Sequence, residues 1–414
     1  MKMNRLLPII LIYLSVLQLT SLAQVNKLDY FIIQGLNHSP LLKDIKNQVN
    51  SNSVDSLLVK AGQKPQVSYN GLLFYAPVIN GIGYSEVLTD ISKISSVVYV
   101  SQRIFNQKTI EAQYSKLGIQ NQALRISSRI TENDLRKVIT LQYLSACSVS
   151  NEITYYRELL SSSKDEELIL RQLVEKGLYK QVDYLSFMVE YKAQELLIND
   201  LQIQYQKEVS ALHILCGLPD TTFELLALPE IKLNSPVSAA NSPFFTRFVV
   251  DSLRIQNEIL LVDRNYKPSI SWFSDAGLLN NLPSEISKNF GFSMGLSLYM
   301  PIYDGQQRKL NYEKLKIAEN TRKNYAGYFQ QQFSQQLQQL YTELIKTQEI
   351  IPQVNQQLDF AESVIKQEKY LINSGNISIT DYVTALKNYI SVKSNLNQYQ
   401  VKILQIITEI NYWN

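Results

Sequence analysis

The stretch FGFSMGLSLYMPI, Phe290 to Ile302, alternates without a break. Phe290, Phe292, Met294, Leu296, Leu298 and Met300 fall on one side, and Gly291, Ser293, Gly295 and Ser297 on the other. Period two, with large apolar residues facing small or polar ones, predicts a strand with one oily and one wet face. QVSYNGLLFYAP from Gln66, SSVVYVSQRIF from Ser95 and SISWFSDAGLL from Ser269 are the other strand candidates, rich in β-branched and aromatic residues. Each is about ten residues long, which suits a tilted strand crossing a bilayer. They predict β-hairpins at about 65–105 and about 268–303. Soluble sandwiches use similar strands, but four of them among so much helix favour a membrane setting.

The rest of the chain is written for long helices. Of 414 residues only 14 are glycine and 12 proline, which suits uninterrupted elements. From about Asn106 to Val174, and from about Gln306 to Leu371, the one proline is Pro352, which predicts a kinked helix. Some 68 helical residues would reach about 100 Å. Each run ends at a glycine, Gly177 or Gly375, and a helix of roughly 35 residues then returns. Its seam predicts a coiled-coil register through Leu396, Tyr399, Ile403, Ile406 and Ile410, matched by Ile198, Leu201, Tyr205, Glu208 and Leu212. A further helix near Pro243 to Asn265 leads into the third strand, and the segment from about Lys27 to Ala61 plays that part before the first. QQQFSQQLQQ, Gln330 to Gln339, lies in mid-helix and suits a surface wet on both faces.

The organisation is duplicated. Gly177 and Gly375 stand 198 positions apart, as do Asp183 and Asp381, and RIFNQ from Arg103 answers PIYDG from Pro301 at the same spacing. KPQVSYN from Lys64 answers KPSISWF from Lys267 at 203, which places a loop of variable length between strands. The predicted plan is a first repeat at 24–217 with its tip near 177, and a second at 218–414 with its tip near 375. Four strands close no barrel, and an open edge is not tolerated in lipid. Two chains would supply eight strands, and three would supply 12.

The N-terminus predicts export. Lys2 and Arg5 precede LLPIILIYLSVL, and SLA ends at Ala23, the pattern of a signal peptide over 1–23. Its removal takes the formal net charge of +3 down by two, so no nucleic-acid footprint shows. No later run of 18 apolar residues exists to span a bilayer as a helix. Two cysteines make no disulfide framework, and Cys147 and Cys216 stand about 13 Å apart along the predicted hairpin. Both are expected to be inert, and His38 and His213 to be structural. No Ser/His/Asp grouping, metal-ligand spacing or phosphate loop points to an enzyme, so neither catalysis nor a cofactor is expected.

LDYFIIQGLNHSPLL from Leu28, MPIYDGQQRKLNYEK from Met300, GLYKQVDYL from Gly177 and GNISITDYVTA from Gly375 give the chain a family likeness. In their order and duplication it resembles TolC-type outer-membrane channels of Gram-negative efflux pumps and type I secretion systems, over essentially its whole mature length. The resemblance implies a mainly α fold with a small β part, in which duplicated antiparallel helical hairpins form an α-barrel. It also implies a homotrimer with a 12-stranded barrel in outer-membrane lipid and a tunnel projecting into the periplasm. A periplasmic adaptor and an inner-membrane pump of RND, ABC or MFS type would supply energy and substrate choice. A periplasmic coiled-coil adaptor or scaffold is the alternative, though such proteins lack two pairs of bilayer-length strands.

By the same resemblance, carboxylates after the tip glycines line or latch a periplasmic constriction. Asp381, repeated round a three-fold axis, would form an acidic ring, and Asp183 would latch neighbouring helices. Either could instead cap its helix. Thr384 stands where well-studied members carry a second acid, and Ile377 where they carry a base, so a salt-bridged latch at those positions is not expected. Gly177, Leu178, Gly375 and Asn376 would form the tip turns and adaptor-docking points.

Overall fold

The computed structural model describes residues 28–77, 79–83, 92–104, 107–219, 224–235, 242–280, 288–373 and 378–413. The predicted signal peptide, Gly375, Asn376 and Ile377 lie outside these described residues. The order is helices α1 (Leu28–His38) and α2 (Pro40–Ala61), strands β1 (Gln66–Tyr75) and β2 (Ser92–Ile104), then α3 (Gln107–Glu175), α4 (Gln181–Cys216) and α5 (Pro243–Asn265). Strands β3 (Ser269–Asn280) and β4 (Phe290–Tyr299) follow, and α6 (Gln307–Asn373) and α7 (Ile379–Tyr412) complete the chain. All four expected strands are present within a mainly helical fold. No described helix is long and apolar enough to cross a membrane.

One local reading changes. The N-terminal segment is two helices, because Pro40 opens α2 and the Ser39 hydroxyl accepts the Leu42 N–H at 3.3 Å. Proline is well placed there, where its missing N–H has no helical partner in any case. The helix α6 runs its full 67 residues with Pro352 inside it.

The described residues fall into two compact units, one drawn from Met1–Lys43, Ser128–Ser242 and Phe329–Asn414, the other from Asp44–Ser127 and Pro243–Tyr328. The second unit holds one antiparallel sheet in the order β1-β2-β3-β4, which among the described residues leaves β1 and β4 each with an unpaired side. Register puts Val67, Tyr69 and Leu73 of β1 on one face with Val98 and Val100 of β2. Ile270, Trp272, Ala276 and Leu278 of β3 share that face with Leu298, Leu296, Phe292 and Phe290 of β4. Most of it is open, with Leu296 76% exposed. The opposite face carries Ser68, Asn70, Ser101, Asp275, Ser293 and Ser297, with Tyr99 stacked on Phe273 at 6.0 Å. At the strand-to-helix junction Asp304 accepts the Arg308 N–H at 2.7 Å, and Asp263 takes both the Arg308 guanidinium at 2.6 Å and the Tyr312 hydroxyl.

The first unit packs α7 against α3 and α4. Ile198, Leu201, Tyr205 and Leu212 of the expected α4 seam are buried, with Val209 in place of Glu208. Glu208 instead accepts the Gln142 amide at 2.7 Å. On α7 the buried positions include Val392, Asn397, Val401, Ile406 and Ile410, so Leu396, Tyr399 and Ile403 sit at the flank of the seam. Asn397 is wholly buried. It accepts from the Asn151 amide at 2.9 Å and donates to the Ser148 carbonyl at 3.0 Å. A satisfied polar pair inside an apolar seam fixes register between helices. The change Asn397→Leu fills the same space but orphans both partners on α3. A loss of about 1–3 kcal/mol of stability is expected in thermal unfolding of the purified protein.

Candidate functional site at the helical tips

The turn joining α3 to α4 is built by Gly177. Its φ of 76° lies in the left-handed region that side chains disfavour. The Gly177 N–H donates to the Val174 carbonyl at 2.9 Å, and the Leu178 N–H to that of Leu173 at 2.9 Å. These two bonds make a Schellman stop, which satisfies carbonyls that a helix end leaves open. Leu178 itself is exposed. Lys180 is extended and stands at the N-cap of α4, and the Asp183 carboxylate accepts the Lys180 N–H at 3.0 Å. Within the chain Asp183 therefore caps its own helix.

The second tip resumes at Ser378, whose hydroxyl accepts the Thr380 N–H at 3.2 Å and caps α7. Asp381 sits exposed in the first turn of α7. The Thr384 hydroxyl donates back to the Thr380 carbonyl at 2.8 Å, so its proton is committed to its own helix.

Between the tips lies a polar node that the expected positions did not include. Glu166 of α3 is 4% exposed. Its carboxylate accepts from the Tyr382 hydroxyl of α7, pairs with Lys369 of α6 at 2.9 Å, and takes the Ser162 hydroxyl at 3.2 Å. One buried charge thus ties the α3–α4 hairpin to both helices of the α6–α7 hairpin. Burial, and then the neighbouring Glu166 charge, hold the Tyr382 phenol far above its ordinary range, so it stays a donor. Around the node Leu170, Leu173, Phe187, Ile372, Ile379 and Tyr382 form an apolar cluster, with Phe187 stacked on Tyr382 at 6.5 Å. Lys387 adds an ion pair with Glu190 at 2.8 Å.

A second carboxyl, that of Glu368 on α6, borders the node. Its Oε2 is buried with no hydrogen-bond partner. Burial, and to a smaller extent the Asp381 charge, push its carboxyl above the ordinary value.

The fold is that of TolC-type outer-membrane channels. The chain is similar to the CmeC channel of Campylobacter jejuni, at a TM-score of 0.72 and 11% identity, covering 93% of this chain and 84% of that one. It is similar to VceC of Vibrio cholerae at 0.72 and 13%, covering 93% and 95%. For the MtrE channel of Neisseria gonorrhoeae the values are 0.71 and 12%, covering 94% and 88%. No family model and no curated protein matches the chain by sequence.

Removing one partner of a buried pair strands the other. Glu166→Ala should cost about 3–5 kcal/mol, while Glu166→Gln, which can still accept from Tyr382, should cost less. Faster limited proteolysis at the tips in Glu166→Ala than in Glu166→Gln is the expected order. For Glu368 the folded pKa lies above the unfolded one, so its stabilising contribution is full below about pH 4.3 and is lost as pH rises through the folded value. Tip protection should therefore fall as pH climbs from that point toward neutrality, and Glu368→Gln should flatten the profile.

Proposed function

We propose that this chain is a passive outer-membrane export conduit of a tripartite efflux pump or a type I secretion system. The observation that carries this reading is the sheet, which has one open apolar face and two unpaired edges. Lipid accepts the face and forbids the edges, so strands from further copies must complete the ring. Three copies would give the 12-stranded barrel expected of a homotrimer, with a lumen. A second bare surface supports self-association. Val182, Leu185, Val189, Leu196 and Ile203 recur at heptad-like spacing along α4 and are 53–72% exposed. An exposed apolar stripe of that length fits a permanent contact between copies.

In this reading the two halves are structural repeats, and the conduit closes at the tips. Asp381 supplies acidic charge to the constriction, and Thr384 stands one turn behind it. Asp183 shapes the start of α4. The Glu166, Lys369 and Tyr382 node holds the hairpins together and supplies the salt bridge that Ile377 and Thr384 cannot form. The tip turns around Gly177, Leu178, Gly375 and Asn376 would meet a periplasmic adaptor, and an inner-membrane pump of RND, ABC or MFS type would drive transport. The conduit itself performs no chemistry and needs no cofactor.

Envelope fractionation should place the protein in the outer membrane as an SDS-resistant trimer that conducts in planar bilayers. Its pore should be blocked by multivalent cations, less so in Asp381→Ala. A soluble periplasmic monomer without conductance would defeat the proposal, and unchanged block in the variant would remove Asp381 from the constriction.

A further inference from the structure

One heptad column of α3 changes character along its length. Tyr143, Ser150, Arg157, Lys164 and Arg171 follow one another at intervals of seven. The first two are buried. Tyr143 packs on Phe31 of α1 at 5.7 Å between ring centres, and its hydroxyl donates to the Ala227 carbonyl at 3.1 Å. Beyond Ile153 that cover stops, and Arg157, Lys164 and Arg171 are exposed. Among the described residues none of the three cations has a salt bridge or a hydrogen bond. They lie about 140° round the helix from Ser163, Glu166, Leu170 and Leu173, the stripe that packs toward α6 and α7. Leu168, 52% exposed, sits between Lys164 and Arg171, and Glu175 closes the column at the tip end.

We propose that this face of α3 docks a helix of a separate protein that presents carboxylates at heptad spacing beside an apolar seam. The inference deepens the conduit reading and rests on it, because it assigns the chemistry of the periplasmic partner. Two features specify that occupant. The spacing of seven matches the flank of a coiled coil, where opposite charges choose partner and orientation. At the head of the column Tyr143 already packs on α1, so a helical partner would continue a contact that the chain itself begins. The charge also separates this face from the apolar stripe of α4. Bare valine and leucine fit a permanent contact between copies, whereas exposed cations fit a reversible, salt-sensitive one.

The test uses the full-length protein in detergent and a fluorescent helical peptide of about four heptads with glutamate at every seventh position. A matched peptide carries glutamine instead. Anisotropy should show the acidic peptide binding about tenfold more tightly than its glutamine match, the sum expected of three exposed ion pairs. That advantage should vanish in about 0.5 M salt. It should also vanish in the R157E/K164E/R171E variant with its circular dichroism unchanged. Equal binding of the two peptides, or equal binding to the two proteins, would overturn the proposal. So would a change in oligomeric state of the variant by light scattering, which would assign the face to a contact between copies. Conductance read without peptide keeps the two ideas apart. A conducting protein indifferent to the acidic peptide loses only the docking face, and a peptide-binding protein without conductance loses the conduit.

Discussion

A four-stranded sheet with a free edge on either side is the constraint on which the rest depends. Each edge presents backbone N–H and C=O groups that no further strand pairs among the described residues. Water could satisfy them, but water is a poor neighbour for the other property of the sheet. Phe290, Phe292, Met294, Leu296 and Leu298 stand open along one face. A hydrocarbon surround resolves the face and makes the edges intolerable. Only closure by more strands meets both demands at once, and the rest of the fold is helical. In the proposed conduit it is therefore the small size of the β part that calls for further copies.

At the other chemical extreme, the first unit buries a full charge. A carboxylate in that position is costly unless it is paired and hydrogen-bonded. Glu166 is both, through Lys369, Tyr382 and Ser162. An apolar residue there would pack as well, but it would not dictate which residue of α6 or α7 it faces. The node therefore gives direction to a contact that the surrounding cluster of Leu170, Phe187 and Ile379 makes only sticky. Asp183 behaves in the opposite way. Its carboxylate is engaged with the Lys180 N–H of its own helix and, among the described residues, joins no second hairpin.

Much of this was legible in the residues. Alternation located β4 to its first residue, and the glycine rule found the turn at Gly177, where a positive φ is needed. The helices were legible because proline and glycine are scarce in them. What escaped was anything set by packing between distant segments. Glu166 lies in the charged run SSSKDEE, where one more acid looks like solvent-facing helix. The clue was its spacing, since Ser163, Glu166, Leu170 and Leu173 step by 3, 4 and 3. Asn397 was missed for a related reason. The eye follows Leu396 and Tyr399, while the buried seam runs through a polar residue beside them. The break at Ser39 and Pro40 was readable as a cap followed by a first-turn proline, but a single helical segment hid it.

The two cysteines have a practical meaning. Both are free and buried, and burial pushes each thiol up to about 12. Cys147 donates to the Ala227 carbonyl and Cys216 to that of Phe31, each at 3.2 Å. Thiolate is the reactive species, so at neutral pH neither sulfur competes for an alkylating reagent. The natural chain is thus a blank background for site-directed labelling. A cysteine introduced on any exposed turn would carry a probe alone, without first stripping the protein of its own.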